Sequence, residues 1–182
     1  MKVIFLDIDG VLNCEQTTLD RVNKVKNNLP LGEFYQKLTA NGDPISADID
    51  EENVKILGKI VKLTGAKIVL TSSHRINWLD RKNILQPFAK ALQYLFDKYN
   101  IEVIGVTPSL NQLDFDQRGN EIMAYLKEHD NIETFCIIDD ENLGLQALKN
   151  HFIKTAFYLK DSNEGGLQNK HIAMALRILN KK

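Results

Sequence analysis

The sequence lacks several features that would place it outside the ordinary class of globular proteins. It has only two cysteines in 182 residues, Cys14 and Cys136, so no disulfide framework is implied and both are expected to be reduced thiols. It also lacks a charge excess, because 23 basic and 24 acidic residues give a net charge of -1. This balance excludes a strongly basic surface for nucleic acid over the whole protein, although a local basic patch is compatible with it.

Long apolar runs are also missing. No segment is long and apolar enough to cross a bilayer, and the N-terminal run at residues 3–6 ends at Asp7, too early for a signal peptide. There is no internal repeat, low-complexity tract or evident linker. We therefore expect a soluble cytoplasmic protein without membrane contact, and nothing in the composition implies a protein partner.

The residues that are present indicate a folded α/β domain. Hydrophobic residues make up 43% of the chain, which is enough for a core. Short apolar runs alternate with helical periodicity, a pattern that predicts a three-layer α/β/α fold around a parallel sheet. Predicted strands lie at residues 3–6, 67–71, 101–106, 135–138 and 156–159, and predicted helices at 50–63, from Pro87 onward, 119–129, 143–148 and 167–179.

Residues 13–47 do not follow this pattern. They are mixed and polar, and they contain Pro30, Gly32, Gly42 and Pro44. The length of the chain favours one domain, residues 1–182, with one modest insertion. We interpret residues 13–47 as this insertion after the first strand, with weak helical pieces, forming either a small cap or a mobile flap.

Two carboxylates follow the first predicted strand, Asp7 and Asp9, with Gly10 directly after them. The carboxyl ends of parallel strands form the ligand crevice of such a sheet, and a turn at Gly10 can bring Asp9 back over it. Clustered carboxylates repel one another unless a cation binds between them. Acidic residues at a strand end are also common in plain loops, so this short motif does not decide the matter alone.

A second acidic pair, Asp139 and Asp140, ends the predicted strand at residues 135–138. Two strands that deliver acids to the same sheet edge can form a site for a hard cation such as magnesium (Mg2+), which prefers oxygen ligands. The alternative is that one of these aspartates caps the short helix that follows. Either interpretation fits the pair taken alone.

Hydroxyl and basic residues follow the strand at residues 67–71. A hydroxyl at a strand end can hydrogen-bond a phosphoryl oxygen together with backbone amides of the turn; we favour Ser72 for this role, with Thr71 as the second choice. Such serines more often belong to loops of no special role, and a lone His74 is more often structural than catalytic. Arg75 can reach a phosphate or pair with an acid.

Arg118 stands at the start of the helix before the second acidic strand. A fixed cation there can neutralise both a carboxylate nucleophile and a phosphate. The alternative is an ordinary exposed arginine. Its position in the order of the other motifs is what makes it a candidate.

Taken in order, these motifs resemble the haloacid dehalogenase (HAD) superfamily. Its first motif is an apolar strand followed by Asp-x-Asp, its second a strand ending in Ser or Thr, its third a Lys or Arg, and its fourth a strand ending in an acid pair. The matching residues here are Asp7 and Asp9, Ser72 or Thr71, Arg118, and Asp139 with Asp140. The four motifs span most of the chain; the first and fourth are specific and the other two are weak.

The resemblance implies a phosphatase mechanism. Asp7 is then the nucleophile that forms an aspartyl-phosphate, and Asp9 is the acid and base. The resemblance places magnesium on Asp7, on the backbone carbonyl of Asp9 and on the Asp139–Asp140 pair, with Asp140 as the direct ligand and Asp139 acting through water or Arg118. Ser72 and Arg118 hold the phosphoryl oxygens. We also predict substrate contacts from Gly10, Thr71, Ser73 and Arg75.

Further residues resemble one branch, the HAD phosphatase modules of RNA-repair proteins. They are Thr64-Gly65-Ala66, Ser72-Ser73-His74-Arg75, Arg118-Gly119 with Glu121-Ile122, and Gly166-Leu167. The branch often has tryptophan before the arginine, where this chain has His74. The small insertion leaves little material for an enclosing lid, so we expect the phosphate on a nucleotide or nucleic-acid end, with Arg75 and Lys82 near a second phosphate.

Two other classes of function compete with this prediction. A two-component receiver domain also uses acids at strand ends, but its phosphorylated aspartate follows the third strand, and here residues 101–106 lead into Thr107-Pro108. A binding or regulatory protein with the HAD fold and little turnover is the second alternative. Within the phosphatases, a small-metabolite substrate is the alternative to a nucleotide.

Overall fold

A computed structural model describes residues 1–40, 48–78, 86–110, 117–159 and 165–181. Five strands and six α-helices lie in these ranges. The strands are β1 (Lys2–Leu6), β2 (Lys67–Leu70), β3 (Val103–Val106), β4 (Thr134–Asp139) and β5 (Phe152–Lys154). The helices are α1 (Glu15–Lys26), α2 (Glu33–Thr39), α3 (Glu51–Thr64), α4 (Pro87–Lys98), α5 (Arg118–Glu128) and α6 (Asn169–Leu179), with two 3-10 helices at Ser73–Trp78 and Gln146–His151.

The strands form one parallel sheet in the order β3-β2-β1-β4-β5. The central strand is β1, whose Leu6 pairs with Leu70 of β2 on one side and with Ile138 of β4 on the other. The chain therefore leaves β1, β2 and β4 at the same edge of the sheet. The strand order reverses beside β1, which is where ligands bind in open α/β sheets.

Side chains of β1 alternate between two cores, as the period of a strand requires. Ile4 and Leu6 are fully buried in the larger core, where α3, α4 and α6 cover the sheet. Phe5 points to the smaller core on the other face and packs edge-on against Tyr125 of α5, with ring centroids 5.7 Å apart. Helices on both faces give the predicted three-layer α/β/α architecture.

Local sequence signals explain where the helices begin and end. The side chain of Asp50 accepts a hydrogen bond from Glu52 N at the start of α3. Gly65, with a φ of 70°, ends that helix as predicted. Pro87 begins α4, where its missing N–H costs no helical hydrogen bond.

Two predicted elements near the second acidic pair were wrong. The fifth strand is Phe152–Lys154 and not residues 156–159, since Ile153 is fully buried beside β4 whereas Tyr158 is 67% exposed. The helix predicted at residues 143–148 is instead the 3-10 helix Gln146–His151. The strand was assigned to the wrong one of two neighbouring apolar runs, because pairing with β4 selects Phe152–Lys154.

The predicted insertion contributes two helices within its described part. Helix α1 buries none of its residues, whereas α2 packs against α4 and buries Phe34, Tyr35 and Leu38 in the larger core. The insertion therefore has no separate core in the part that is described, and its residues 41–47 lie outside that part. Among the described residues, no helix combines the length and apolarity that crossing a membrane requires.

Candidate active site

Asp7 lies at the centre of the carboxyl edge of the sheet. Its backbone N–H donates to Ile138 O at 3.0 Å, which extends the pairing of β1 with β4 by one residue. Thr71 N donates in the same way to Leu6 O at 2.9 Å, so β2 also continues alongside. Asp7 is only 6% exposed and is thereby fixed between the ends of two neighbouring strands.

Gly10 allows the second acidic pair to approach this strand end. It adopts a φ of +69°, which is unfavourable for a residue with a side chain. A Cβ at this position would lie 2.3 Å from Asp140 Cγ. Glycine is therefore required for two reasons, the turn after Asp9 and the space that the Asp140 carboxylate occupies. A direct substrate contact by Gly10 stays a prediction.

The three carboxylates of Asp7, Asp139 and Asp140 converge. One oxygen from each lies within 4.8 Å of the others. Burial raises the pKa of Asp140 to about 6, and the negative charge of Asp7 adds to the effect. Burial also raises the pKa of Asp139, although the positive charge of Arg118 opposes this. The site therefore disfavours the ionised form of its own acids. A bound cation would favour that form and offset the repulsion between the carboxylates.

Arg118 supplies the fixed positive charge of the site. Its Nη1 lies 3.2 Å from Asp7 Oδ2 and also bonds Asp139 Oδ2. Burial lowers the pKa of the guanidinium, but the two carboxylates raise it by more, so Arg118 is charged. When all three acids are ionised, it balances one of their negative charges, which leaves two. That remainder and the all-oxygen donor set suit a divalent hard cation such as magnesium.

Arg118 is held there by a close backbone contact. Gly119 N donates to Leu143 O at 3.1 Å, and a Cβ on Gly119 would lie only 2.0 Å from Gly144 O. Only glycine lets the first turn of α5 come this near to the loop after β4. The sequence analysis assigned Arg118 the role of a fixed cation near the acids. The neighbouring Gly119 explains how Arg118 reaches them.

Asp9 has a different environment from Asp7. Its side chain is 47% exposed, and each of its oxygens has a protein partner. Asn13 Nδ2 donates to Oδ1 at 2.9 Å, and His74 Nε2 lies 3.1 Å from Oδ2. The hydrogen bond with His74 is the largest of several effects that lower the pKa of Asp9, and it raises the pKa of His74 in return. Asp9 is therefore ionised at neutral pH in the free protein.

The hydroxyl residues after β2 are close to this edge but have different surroundings. Thr71 and Ser72 are fully buried, whereas Ser73 is exposed. Ser72 Oγ accepts the backbone N–H of His74 at 3.2 Å and keeps its own O–H to donate. Thr71 Oγ1 is buried and has no hydrogen-bond partner within the described part of the chain. Both hydroxyls therefore remain candidates to bind a phosphoryl oxygen.

Arg75 is engaged by the protein itself. Its Nη1 donates to Thr71 O at 2.7 Å and Ser72 O at 3.1 Å, and its Nη2 donates to Glu121 Oε1 at 2.7 Å. Both side chains of this ion pair are largely buried, 11% and 7% exposed. Arg75 thus ties the loop after β2 to α5. Contact with substrate stays a prediction, and it would use the N–H groups of Arg75 that these three bonds leave over. Lys82 lies outside the described residues.

The structure adds two residues to which the sequence interpretation gave no role. Asn13 donates to Asp9 Oδ1 and to Asp48 O, and its Oδ1 accepts from Gly10 N at 2.9 Å. Glu121 is the partner of Arg75. The sequence signal for Glu121 is its place in the branch motif that begins at Arg118. Asn13 lies at the start of the predicted polar insertion.

A buried aspartate at the end of a central parallel strand, a second acid two residues later, a fixed arginine and an acid pair on the neighbouring strand together define a phosphohydrolase site of the HAD type. The comparison with protein families agrees with this class. Residues 3–164 match the family described as the HAD domain in Swiss Army Knife RNA repair proteins, and the chain belongs to that family. Comparison with curated proteins and with solved structures gave no match.

Proposed function

We propose that this protein is a magnesium-dependent phosphohydrolase that works through an aspartyl-phosphate intermediate. The observation that carries the proposal is the convergence of Asp7, Asp139 and Asp140 within 4.8 Å beside the charged Arg118. A purely structural acid pair would not need a third buried carboxylate and a shared arginine. A bound magnesium ion on Asp7, Asp140 and the Asp9 carbonyl would offset the negative charge of the nucleophile and of the phosphoryl group.

The residues then divide the reaction between them. A carboxylate oxygen of Asp7 attacks the phosphorus, and the bond from phosphorus to the leaving oxygen breaks. Asp9 gives that oxygen a proton, and later takes one from the water that attacks the aspartyl-phosphate. Arg118, together with the Ser72 or Thr71 hydroxyl, stabilises the phosphoryl oxygens as charge moves onto them.

The lowered pKa of Asp9 is compatible with both halves of its role. In the free protein the carboxylate is ionised, which suits it to act as a base. To act as an acid it must first take up a proton. A phosphate group bound beside it would raise its pKa, because a second negative charge disfavours ionisation.

We further propose that the phosphate is carried by a nucleotide or by the end of a nucleic acid. Two observations support this. The family is named for RNA-repair proteins, and the described part of the insertion packs α2 into the main core instead of forming a separate lid. A site over which the described residues form no separate closing domain is accessible to the end of a large substrate.

The test is a phosphatase screen with and without magnesium. The substrates are p-nitrophenyl phosphate, glucose 6-phosphate, mononucleotides, and oligonucleotides phosphorylated at the 5′ or the 3′ end. We expect magnesium-dependent release of phosphate and a higher kcat/KM for a terminal nucleotide phosphate than for the sugar phosphate. Asp7→Asn should be folded and inactive on every substrate.

Three outcomes would contradict parts of this proposal. Near wild-type hydrolysis by Asp7→Asn would exclude the covalent mechanism. A clear preference for the sugar phosphate would show a small-metabolite phosphatase and a working cap at residues 13–47. No hydrolysis of any substrate by the wild-type protein, together with magnesium binding, would favour the binding or regulatory protein.

A further inference from the structure

His74 contacts Asp9 although the two residues belong to different loops. Asp9 follows β1, and His74 lies in the 3-10 helix Ser73–Trp78 after β2, yet His74 Nε2 is 3.1 Å from Asp9 Oδ2. Asn13 holds the other carboxylate oxygen at 2.9 Å. A half-exposed aspartate would otherwise rotate about its side-chain bonds, so these two contacts give its carboxylate one orientation.

The imidazole of His74 is itself fixed on its other side. It stacks on Phe88 of α4, with ring centroids 4.8 Å apart and an interplanar angle of 26°. Phe88 is buried and packs edge-on against Phe34 of α2 at 5.7 Å. The orientation of the Asp9 carboxylate is therefore linked to the packing of the main core. The stack limits rotation of the imidazole and so helps His74 to hold Asp9 in one orientation.

We propose that His74 is a positioning residue for proton transfer. It orients the Asp9 carboxyl group toward the oxygen of the leaving group. The inference rests on the proposed function, because it assumes that Asp9 is the acid. In this role His74 donates through Nε2–H to Oδ2, which accepts both when Asp9 is ionised and when its proton is on Oδ1. The proton that reaches the leaving oxygen comes from Asp9, and His74 neither loses nor gains one in that step. His74 and Asn13 each occupy only one lone pair of an Asp9 oxygen, which leaves a position for the proton that Asp9 donates.

This role makes a prediction that a structural role does not. A departing alkoxide, such as a ribose or sugar oxygen, needs a proton as its bond to phosphorus breaks. A departing p-nitrophenolate is stable enough to leave without one. Loss of the correct orientation of Asp9 should therefore slow the first kind of substrate much more than the second. Loss of stability alone would slow both equally.

The experiment compares kcat/KM for p-nitrophenyl phosphate and for the alkyl phosphate that the wild type hydrolyses faster, either glucose 6-phosphate or a 5′-phosphorylated oligonucleotide. The quantity kcat/KM covers steps up to formation of the aspartyl-phosphate, in which the group departs. His74→Phe keeps a ring to stack on Phe88 but cannot donate to Asp9. His74→Gln keeps an N–H donor without the stack. Asp9→Asn shows how kcat/KM for each substrate changes when the acid itself is lost.

We expect His74→Phe to lower kcat/KM for the alkyl phosphate about tenfold or more, which is within the range of general acid catalysis. The value for p-nitrophenyl phosphate should fall by no more than about threefold on the same grounds. Asp9→Asn should show the same difference between substrates, and His74→Gln should recover part of the alkyl activity. If His74→Phe does not fold, His74→Ala replaces it. We again expect a larger loss of kcat/KM for the alkyl phosphate than for p-nitrophenyl phosphate.

Equal losses on the two substrates, or no loss on either, would overturn the inference. Its failure can be told apart from failure of the proposed function. If the wild type is active and Asp7→Asn is not, the phosphatase proposal holds, and the substrate dependence of the His74 variants then tests only the positioning role. If the wild type hydrolyses none of the probes, the proposed function is wrong, and the inference about His74 falls with it.

Discussion

Arg118 Nη1 lies 3.2 Å from Asp7 Oδ2, so the proposed nucleophile is already paired with a cation before any substrate binds. The same nitrogen also bonds Asp139 Oδ2. One guanidinium from the start of α5 therefore fixes an acid on each of two neighbouring strands. A substrate phosphate would enter a site whose charges are already arranged, which lowers the reorganisation that the reaction requires.

Replacing Arg118 should affect both catalysis and folding. Arg118→Lys keeps the charge but loses the planar fork, and we expect kcat/KM to fall about tenfold or more, equivalent to about 1.4 kcal/mol. Arg118→Ala leaves two buried carboxylates without their partner and should destabilise the protein by about 3 kcal/mol in magnesium-free buffer. Urea unfolding and phosphatase assays measure the two effects. The exposed Arg177→Ala is the control, and activity of Arg118→Ala within threefold of the wild type would contradict the assignment.

Asp140 should matter more than Asp139 for binding magnesium. Both oxygens of Asp139 already accept protein hydrogen bonds, one from Arg118 and one from Glu141 N. We therefore expect Asp140→Ala to weaken magnesium binding more than Asp139→Ala does, as measured by calorimetric titration of the metal. The exposed Asp130→Ala should bind like the wild type. A larger loss for Asp139→Ala would reverse the assignment of the direct ligand, and no loss in either variant would remove the metal site.

Much of the fold and the position of the acids followed from the sequence, because both depend on local patterns. Buried parallel strands are continuous apolar runs, and an acid directly after such a run must lie at the carboxyl edge of the sheet. That reasoning located Asp7 and the Asp139–Asp140 pair, which the structure brings together. Glycines at the ends of elements and Pro87 similarly marked the helix boundaries.

What the sequence did not predict depends on contacts between distant residues. The local sequence does not show that Arg75 forms an ion pair with Glu121, 46 residues away. It also does not show that the side chain of His74 contacts that of Asp9, 65 residues away. The placement of β5 at Phe152–Lys154 likewise depends on its pairing with β4, since the neighbouring run at residues 156–159 is the more apolar of the two. Side-chain patterns predict which elements form, but pairing decides which of two apolar runs joins the sheet.

Gly119→Ala tests the close contact that brings Arg118 to the acids. The added methyl group would lie 2.0 Å from Gly144 O, a backbone atom that cannot move aside cheaply. We expect a destabilisation of about 1–3 kcal/mol, typical of overpacking, together with reduced activity as Arg118 is displaced. Gly32→Ala is the matched control, because a Cβ added at Gly32 would have no described neighbour within 4 Å. Equal stability of the two variants by urea unfolding would show that the loop after β4 yields to the methyl group.

Asp48 holds the two helices of the insertion together. Its carboxylate accepts hydrogen bonds from Thr18 Oγ1, Arg21 Nε and Tyr35 Oη, so it links α1 to α2 from a largely buried position. Burial raises the pKa of Asp48, but these donors, with Arg21 first among them, lower it by more, and the net pKa lies below the ordinary value of 3.8.

A carboxyl group with a lowered pKa stabilises the folded state above its unfolded pKa of 3.8, and this contribution is lost as the pH falls through the lower folded value. Asp48→Asn removes the charge, so at pH 7 it should cost about 2 kcal/mol, the scale of a hydrogen bond to a charged group. The difference from the wild type should then narrow as the pH is lowered below 3.8. Urea unfolding at a series of pH values measures it, with the exposed Asp130→Asn as the control. A difference that stayed constant with pH would show that the ionised carboxylate of Asp48 does not hold the two helices together.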